Sequence, residues 1–398
     1  MKSITRSQLL SSLILVLLFV TLNLAQESTQ PIVIGQRVVI HSDILDEERT
    51  IWIHTPTEYN NSGIKYPVVY VLDGPAHFHH TTGIIDFLSR LNRMPQMILV
   101  AIANTDRTRD LTPPTETDTA NTFPTSGGAD NFLHFIREEL APYVDENYRT
   151  ESFKLLIGHS FGGLFTIHAL LTKPDFFTGY ISISPSLWWN NRATLRAMNS
   201  LLENRISFDR FLYVTLGNEG GNMLSSAQEF EQLLQSKSPP DFDWTFNLME
   251  EETHGSIPHR TIYLALEKLY SGWQIENPGE MLDAGGIEAV DQHYRELSKK
   301  YGYRIITPEN IINQLGYRYL GRKEYSSAIQ MFKRNVETFP NSANVYDSLG
   351  DGYDAKNQPE LALQNYRKAV EISEAIAHPN LTIYRANMKR LQEKLNTH

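Results

Sequence analysis

Phe153-Lys154-Leu155-Leu156-Ile157-Gly158-His159-Ser160-Phe161-Gly162-Gly163-Leu164-Phe165-Thr166-Ile167-His168-Ala169-Leu170-Leu171 is the stretch that decides how this chain folds. Its first five residues form a short apolar run, predicted as a buried strand. Leu164 to Leu171 is predicted as a helix that stops near Lys173-Pro174. Between them lies Gly158-x-Ser160-x-Gly162, whose glycines permit a tight turn with the serine hydroxyl at its apex. A helix N-terminus beneath that hydroxyl would stabilise developing negative charge. The plain alternative is a small-residue turn that only packs. The strand before it and the helix after it favour a nucleophilic Ser160.

Outward from this turn, strand-like and helix-like segments alternate from Gln36 to about Trp273. Arg37–His41 and Arg49–His54 read as an antiparallel pair at a sheet edge. Tyr66–Leu72 and Gln96–Ile102 are continuous apolar runs, as expected for strands covered on both faces. Helical spacing marks Ile84–Asn92 and Asn131–Val144, and further strands are expected at Tyr180–Ile183, Arg210–Leu216 and Trp244–Met249. Such βα alternation predicts an α/β architecture, a doubly wound, mostly parallel sheet with helices on both faces. With the serine turn in its middle, the expected fold is an α/β-hydrolase.

The C-terminal part follows another rule. Leu315-Gly316-Tyr317 and Leu349-Gly350-Asp351 are 34 residues apart, as are Ala328 and Ala362, and Phe332 and Tyr366. That period predicts a small all-α domain of two tetratricopeptide repeats, Glu309–Ser342 and Ala343–Ile376, with a final helix near Leu381–Leu395. The expected organisation is a leader over 1–25, a hydrolase domain over 26–275, a linker and linking helix over 276–302, and repeats over 303–398.

Lys2 and Arg6 precede an apolar run from Leu9 to Val20, and Ala25 closes the segment, the layout of a secretory signal peptide. Asn23 fits the cleavage site poorly, so an uncleaved anchor is the competing reading, although the run is short for a full span. Export to the periplasm or outside is therefore expected, with no membrane association after cleavage. The chain has 36 Lys+Arg against 46 Asp+Glu; loss of residues 1–25 removes two basic residues and no acidic one, giving a net charge of −12. That balance argues against nucleic acid or anionic lipid as a partner. The absence of cysteine excludes disulfides, thiolate metal sites and a cysteine nucleophile.

In the hydrolase order, an acid and then a histidine follow the nucleophile. Glu219 lies just past the predicted strand ending at Leu216, on the edge where α/β sites form; Glu229 and Asp241 are its rivals. For the base, the loop after the last predicted strand offers His254, followed by Gly255 and Ser256, and His259, which would begin a helix. His254 would take the Ser160 proton and return it to the leaving alcohol, oriented by Glu219.

The chain resembles the putative-esterase family, which includes esterase D, enterochelin-type siderophore esterases and mycolyltransferases. The resemblance is carried by Tyr66–Gly74, Asn104-Thr105-Asp106-Arg107-Thr108-Arg109-Asp110, Gly158–Gly163, Ser184-Pro185-Ser186-Leu187-Trp188-Trp189 and Thr253-His254-Gly255. It implies ester hydrolysis without metal or cofactor, with Ser160 as nucleophile, His254 as base and Glu219 as acid, although some siderophore esterases use a serine–histidine pair. An oxyanion hole needs two backbone N–H groups. Phe161 supplies one; in the family the other comes from the residue after Asp-Gly, here Pro75, which has none. Gly74 or Ala76 must substitute, or the hole has one weaker donor. Arg107 and Arg109 would grip an anionic substrate or fix a loop through Asp106 and Asp110. Of Trp188 and Trp189, one would line the pocket and the other pack beneath it. The run His77-Phe78-His79-His80 could meet an acidic substrate group through His79; with side chains alternating in direction, its imidazoles would not converge on a metal.

The expected protein is thus an exported serine esterase of a small-molecule ester, with siderophore and acylated-glycan esters as candidates. An acyltransferase of the same fold, or a tetratricopeptide module that binds a protein partner beside a weakened hydrolase, are the alternatives.

Overall fold

The computed structural model describes residues 31–57, 59–115, 122–376 and 378–396. The proposed signal segment lies outside the described residues. The chain divides into Met1–Ile34 and one compact unit, Gly35–His398.

The unit begins with strands β1 (Gln36–Ser42), β2 (Glu47–His54) and β3 (Tyr66–Val71), then helix α1 (Gly74–Arg90), β4 (Ile98–Ile102) and α2 (Arg107–Leu111). Next come α3 (Ala129–Phe135), a π turn at Ile136–Leu140 and α4 (Ala141–Asn147). The central region is β5 (Thr150–His159), α5 (Phe161–Thr172), β6 (Gly179–Ile183), α6 (Trp189–Glu203), β7 (Phe211–Leu216), α7 (Gly221–Lys237), β8 (Asp243–Leu248) and α8 (Ile257–Leu269). The strands form one eight-stranded sheet in the order β1-β2-β4-β3-β5-β6-β7-β8. β1 and β2 pair antiparallel, as do β2 and β4, and every later pair is parallel. This is the mostly parallel hydrolase sheet that the apolar runs predict.

Alternation along each strand divides the core between the two faces. Val68, Tyr70 and Leu72 enter a cluster with Phe132, Phe165 and Trp189, while Val69 and Val71 enter another with Ile84, Ile85 and Leu266. Helix α1 starts ten residues before the predicted Ile84, because Pro75 occupies a first-turn position where its missing N–H has no helical partner to lose. The predicted helix over Asn131–Val144 extends from Ala129 to Asn147 but opens into the π turn ahead of Pro142, which cannot donate back to Glu138.

C-terminal to the sheet, α9 (Pro278–Tyr301) starts within the expected linker, its first turn capped by Asn277 Oδ1 accepting from Glu280 N at 3.3 Å, and is broken at Gly286 (φ 68°). Then follow α10 (Glu309–Gly321), α11 (Tyr325–Thr338), α12 (Ala343–Ala355), α13 (Pro359–Ala375) and α14 (Leu381–Asn396). The 34-residue echo has a physical basis. A Cβ on Gly316 would lie 2.4 Å from the Phe332 ring, and one on Gly350 would lie 2.6 Å from the Tyr366 ring. Each helix pair therefore seats an aromatic ring in the groove left by a glycine. The array shares a core with the sheet: Phe153, Tyr270, Trp273, Tyr294, Tyr301, Ile311 and Leu315 belong to a single buried cluster. No helix among the described residues is long and apolar enough to cross a membrane.

Candidate active site

Ser160 follows β5 and precedes α5 with φ 61° and ψ −115°, a conformation strained for any residue with a Cβ. Its amide is held by Ile183 O at 2.9 Å. The turn is tight enough that a Cβ on Gly158 would fall 2.1 Å from Gly162 O, and one on Gly163 would fall 2.9 Å from Ile183 O. Those two glycines are required by close approach. Each parallel strand contributes to the same edge: Asp73 after β3, Asn104 and Arg107 after β4, Ser184 after β6, Glu219 after β7 and His254 after β8.

The last two meet. His254 Nδ1 lies 2.7 Å from Glu219 Oε2, with the carboxylate 10% exposed and the imidazole 42% exposed. Facing a carboxylate, Nδ1 carries the proton, so Nε2 holds the lone pair that a general base needs. Burial pushes the Glu219 carboxyl up, but hydrogen bonds from His254 and Ser184 outweigh it and hold the group below the usual carboxylate range. The loop bearing His254 comes this close because Gly217 has no side chain: a Cβ there would meet Glu252 O at 2.8 Å. The rival acids lie elsewhere. Glu229 pairs with Arg192, and Asp241 binds Ser207 and the Phe208 amide before β8 begins.

The candidate oxyanion donors differ in their partners. Ala76 N donates to Asp73 O at 2.9 Å inside the first turn of α1 and is not spare. The N–H groups of Gly74 and Phe161 are the first of their helices, where an α-helix offers no internal acceptor.

The remaining candidates divide by contact. Trp188 is half-buried with its ring 6.3 Å from that of Phe161, whereas Trp189 is buried beneath, its Nε1 donating to Pro113 O at 3.0 Å. Phe123, which the sequence reading passes over, stacks edge-on to Phe161 at 5.4 Å. Arg109 is held by carboxylates: Nη2 reaches Glu47 at 2.6 Å and Nε reaches Asp110 at 2.8 Å, and these partners raise its pKa. Arg107 points into the protein, onto Asp73.

His79 is exposed on α1 and stands apart. The run that an extended reading would alternate is helical, so His77 and His80 share a face, with Nδ1 of one 3.0 Å from Nε2 of the other. His77 also meets His159 at 5.8 Å between rings, His159 meets His254 at 4.5 Å, and His80 meets His259 at 5.5 Å. Burial, then the neighbouring His254 and His77, push His159 down to about 4. A neutral His159 places no repelling charge beside His254. His159 stands inside the quoted serine motif, but its approach to His77 follows only from the helical phase of α1. No group of three or more His, Cys, Asp or Glu among the described residues is arranged to hold a metal ion.

Fold and site together define an α/β-hydrolase sheet that carries a hydrogen-bonded histidine–glutamate pair and a strained serine on one edge. Residues 42–238 match the family described as Putative esterase. The chain is 33% identical over 190 residues to the ferri-bacillibactin esterase BesA of Bacillus subtilis, an alignment covering 43% of this chain and 62% of that protein. It is 38% identical over 155 residues to the siderophore enterobactin esterase of Emericella nidulans, covering 34% of this chain and 50% of the other. The chain thus spans between half and two thirds of the length of these curated relatives. The crystal structure of an IroE-like serine hydrolase from Shewanella oneidensis superposes with a TM-score of 0.66 at 27% identity, over 76% of this chain and 99% of that one.

Proposed function

We propose that this protein is an exported serine carboxylic-ester hydrolase whose substrates are siderophore esters. The observation that carries the reading is the 2.7 Å contact between His254 Nδ1 and Glu219, on the sheet edge where Ser160 stands at the apex of its turn. Ser160 Oγ attacks the ester carbonyl while its proton passes to His254 Nε2. The carbonyl oxygen takes up the negative charge, met by the N–H groups of Phe161 and Gly74. Collapse expels the alcohol with the proton from His254, leaving an acyl-Ser160 ester. Water, deprotonated by His254, then attacks that ester and releases the acid and the free serine.

The names of the two curated relatives support the siderophore class. Export is supported by the apolar run from Leu9 to Val20 behind Lys2 and Arg6. The ring-into-glycine packing at 34-residue spacing supports tetratricopeptide repeats in the C-terminal array. The test is hydrolysis of a catecholate trilactone followed by chromatography. The full chain should release linear and monomeric catecholate esters, and Ser160→Ala should release none. Cleavage of short p-nitrophenyl esters with an untouched trilactone would overturn the substrate class.

A further inference from the structure

A cavity of about 660 Å³ opens where α9, the loop 302–308 and α11 meet. Ser152 Oγ, near the start of β5, donates to Gly302 O at 3.2 Å, so the length of that strand lies between this loop and Ser160. The walls are preformed. Ser298 Oγ on α9 accepts from Ile305 N at 2.8 Å and donates to Tyr294 O at 2.7 Å, which ties the loop to the helix. Ile305, Ile306 and Ile312 give the cavity an apolar side. Its charge is one-sided: Arg295, Lys299, Arg304 and Arg334 line it against a single acid, Asp291, in a chain whose formal net charge is −10.

That acid is already saturated. Arg334 donates to both its oxygens, at 2.6 and 2.9 Å, and Thr307 Oγ1 donates at 2.7 Å. Burial raises the Asp291 carboxyl, but the bonds from Arg334 and Thr307 and the charges of Arg334 and Arg295 outweigh it and keep it ionised. Arg334 and Asp291 therefore offset each other, which leaves three cations facing one cavity. Arg295 and Lys299 form ion pairs only with Glu288 and Glu296, exposed acids outside the lining, and such pairs hold their partners weakly. Arg304 makes no hydrogen bond or ion pair among the described residues. A volume of this order is that of a small-molecule site. Like charges around one cleft focus the field and concentrate counter-ions there.

We propose that this cavity binds a small multivalent anion bearing carboxylate or phosphate groups, separately from the ester substrate. Guanidinium forks match the oxygens of both groups. Arg295 and Arg304 grip the anion and Lys299 adds a third charge. The isoleucines keep water from one side of it, which strengthens each contact. None of these residues belongs to the serine, histidine and glutamate set.

The test is isothermal titration of the full chain with citrate and with pyrophosphate at fixed ionic strength. At least one should bind saturably, with a Kd of about 1 mM or tighter. The tighter of the two identifies carboxylate or phosphate as the preferred group. Loss of one charge-assisted bond should weaken that binding about 10-fold in R304Q, and by a similar factor in R295Q. Both variants replace exposed side chains, so both should keep the wild-type melting temperature and p-nitrophenyl ester turnover. No saturable heat from either anion, or a Kd unchanged in both variants, would overturn the proposal. Binding of a poly-glutamate peptide but of neither small anion would overturn it too, and would make this face a docking surface for an acidic protein segment.

Discussion

Ser160 occupies a backbone conformation that only glycine adopts without strain, and the surrounding fold sustains it. Strain at such a position is worth roughly 1–3 kcal/mol. Ser160→Gly and Ser160→Ala both remove the hydroxyl, but only glycine also removes the Cβ. Ser160→Gly should therefore be about 1 kcal/mol more stable than Ser160→Ala in denaturant unfolding, with both inactive. Equal stabilities would mean that the turn stores no strain at the serine. At this scale the sequence was informative wherever chain order and turn chemistry constrain a residue. Ser160, Glu219 and His254 are legible because each follows a strand end. The choice between Gly74 and Ala76, and between substrate grip and loop fixing at Arg109, stays open in the sequence because the phases of α1 and α2 depend on where Asp73 and Asp106 start those helices in the folded chain.

Among the elements, the C-terminal helices carry an acid that resists ionisation. Asp347 on α12 is 7% exposed and accepts from Asn387 Nδ2 on α14 at 3.1 Å through both oxygens. Burial, against the relief from Asn387 and with the nearby Asp351, pushes it up to about 6 from 3.8. An acid whose folded pKa is raised favours folding fully only below its ordinary value, and that contribution is lost as pH rises through about 6. Its ionisation should cost on the order of 2 to 3 kcal/mol by pH 7.5. Asp347→Asn should therefore melt above wild type at pH 7.5 and match it near pH 4. An offset that is the same at both pH values would contradict this. The repeat itself was visible in sequence because Gly316/Phe332 and Gly350/Tyr366 are ring-and-groove pairs at one period. The cross-helix pair Asp347–Asn387 has no such period and could not be read.

On the scale of the whole molecule, sheet and helical array are held by aromatic packing. Phe153 on β5 packs tilted against Tyr270 and edge-on to Tyr301, Trp273 packs edge-on to Tyr270, and Tyr301 Oη donates to Leu269 O at 2.9 Å. Trp273→Ala in the full chain should cost about 3–5 kcal/mol and lower the temperature at which esterase activity is lost. Activity loss at the wild-type temperature would show that the array does not support the sheet. The alternation of apolar runs made the parallel sheet legible, but the aromatic seam was not, because it joins residues 153 and 301 through no local pattern. The proposed function stands or falls on Ser160 as the activated nucleophile. The most direct measurement is labelling with a fluorophosphonate, read by intact mass and peptide mapping. One adduct is expected, on Ser160, and none on folded Ser160→Ala; an adduct on another residue, or an unlabelled wild-type protein, would contradict that role.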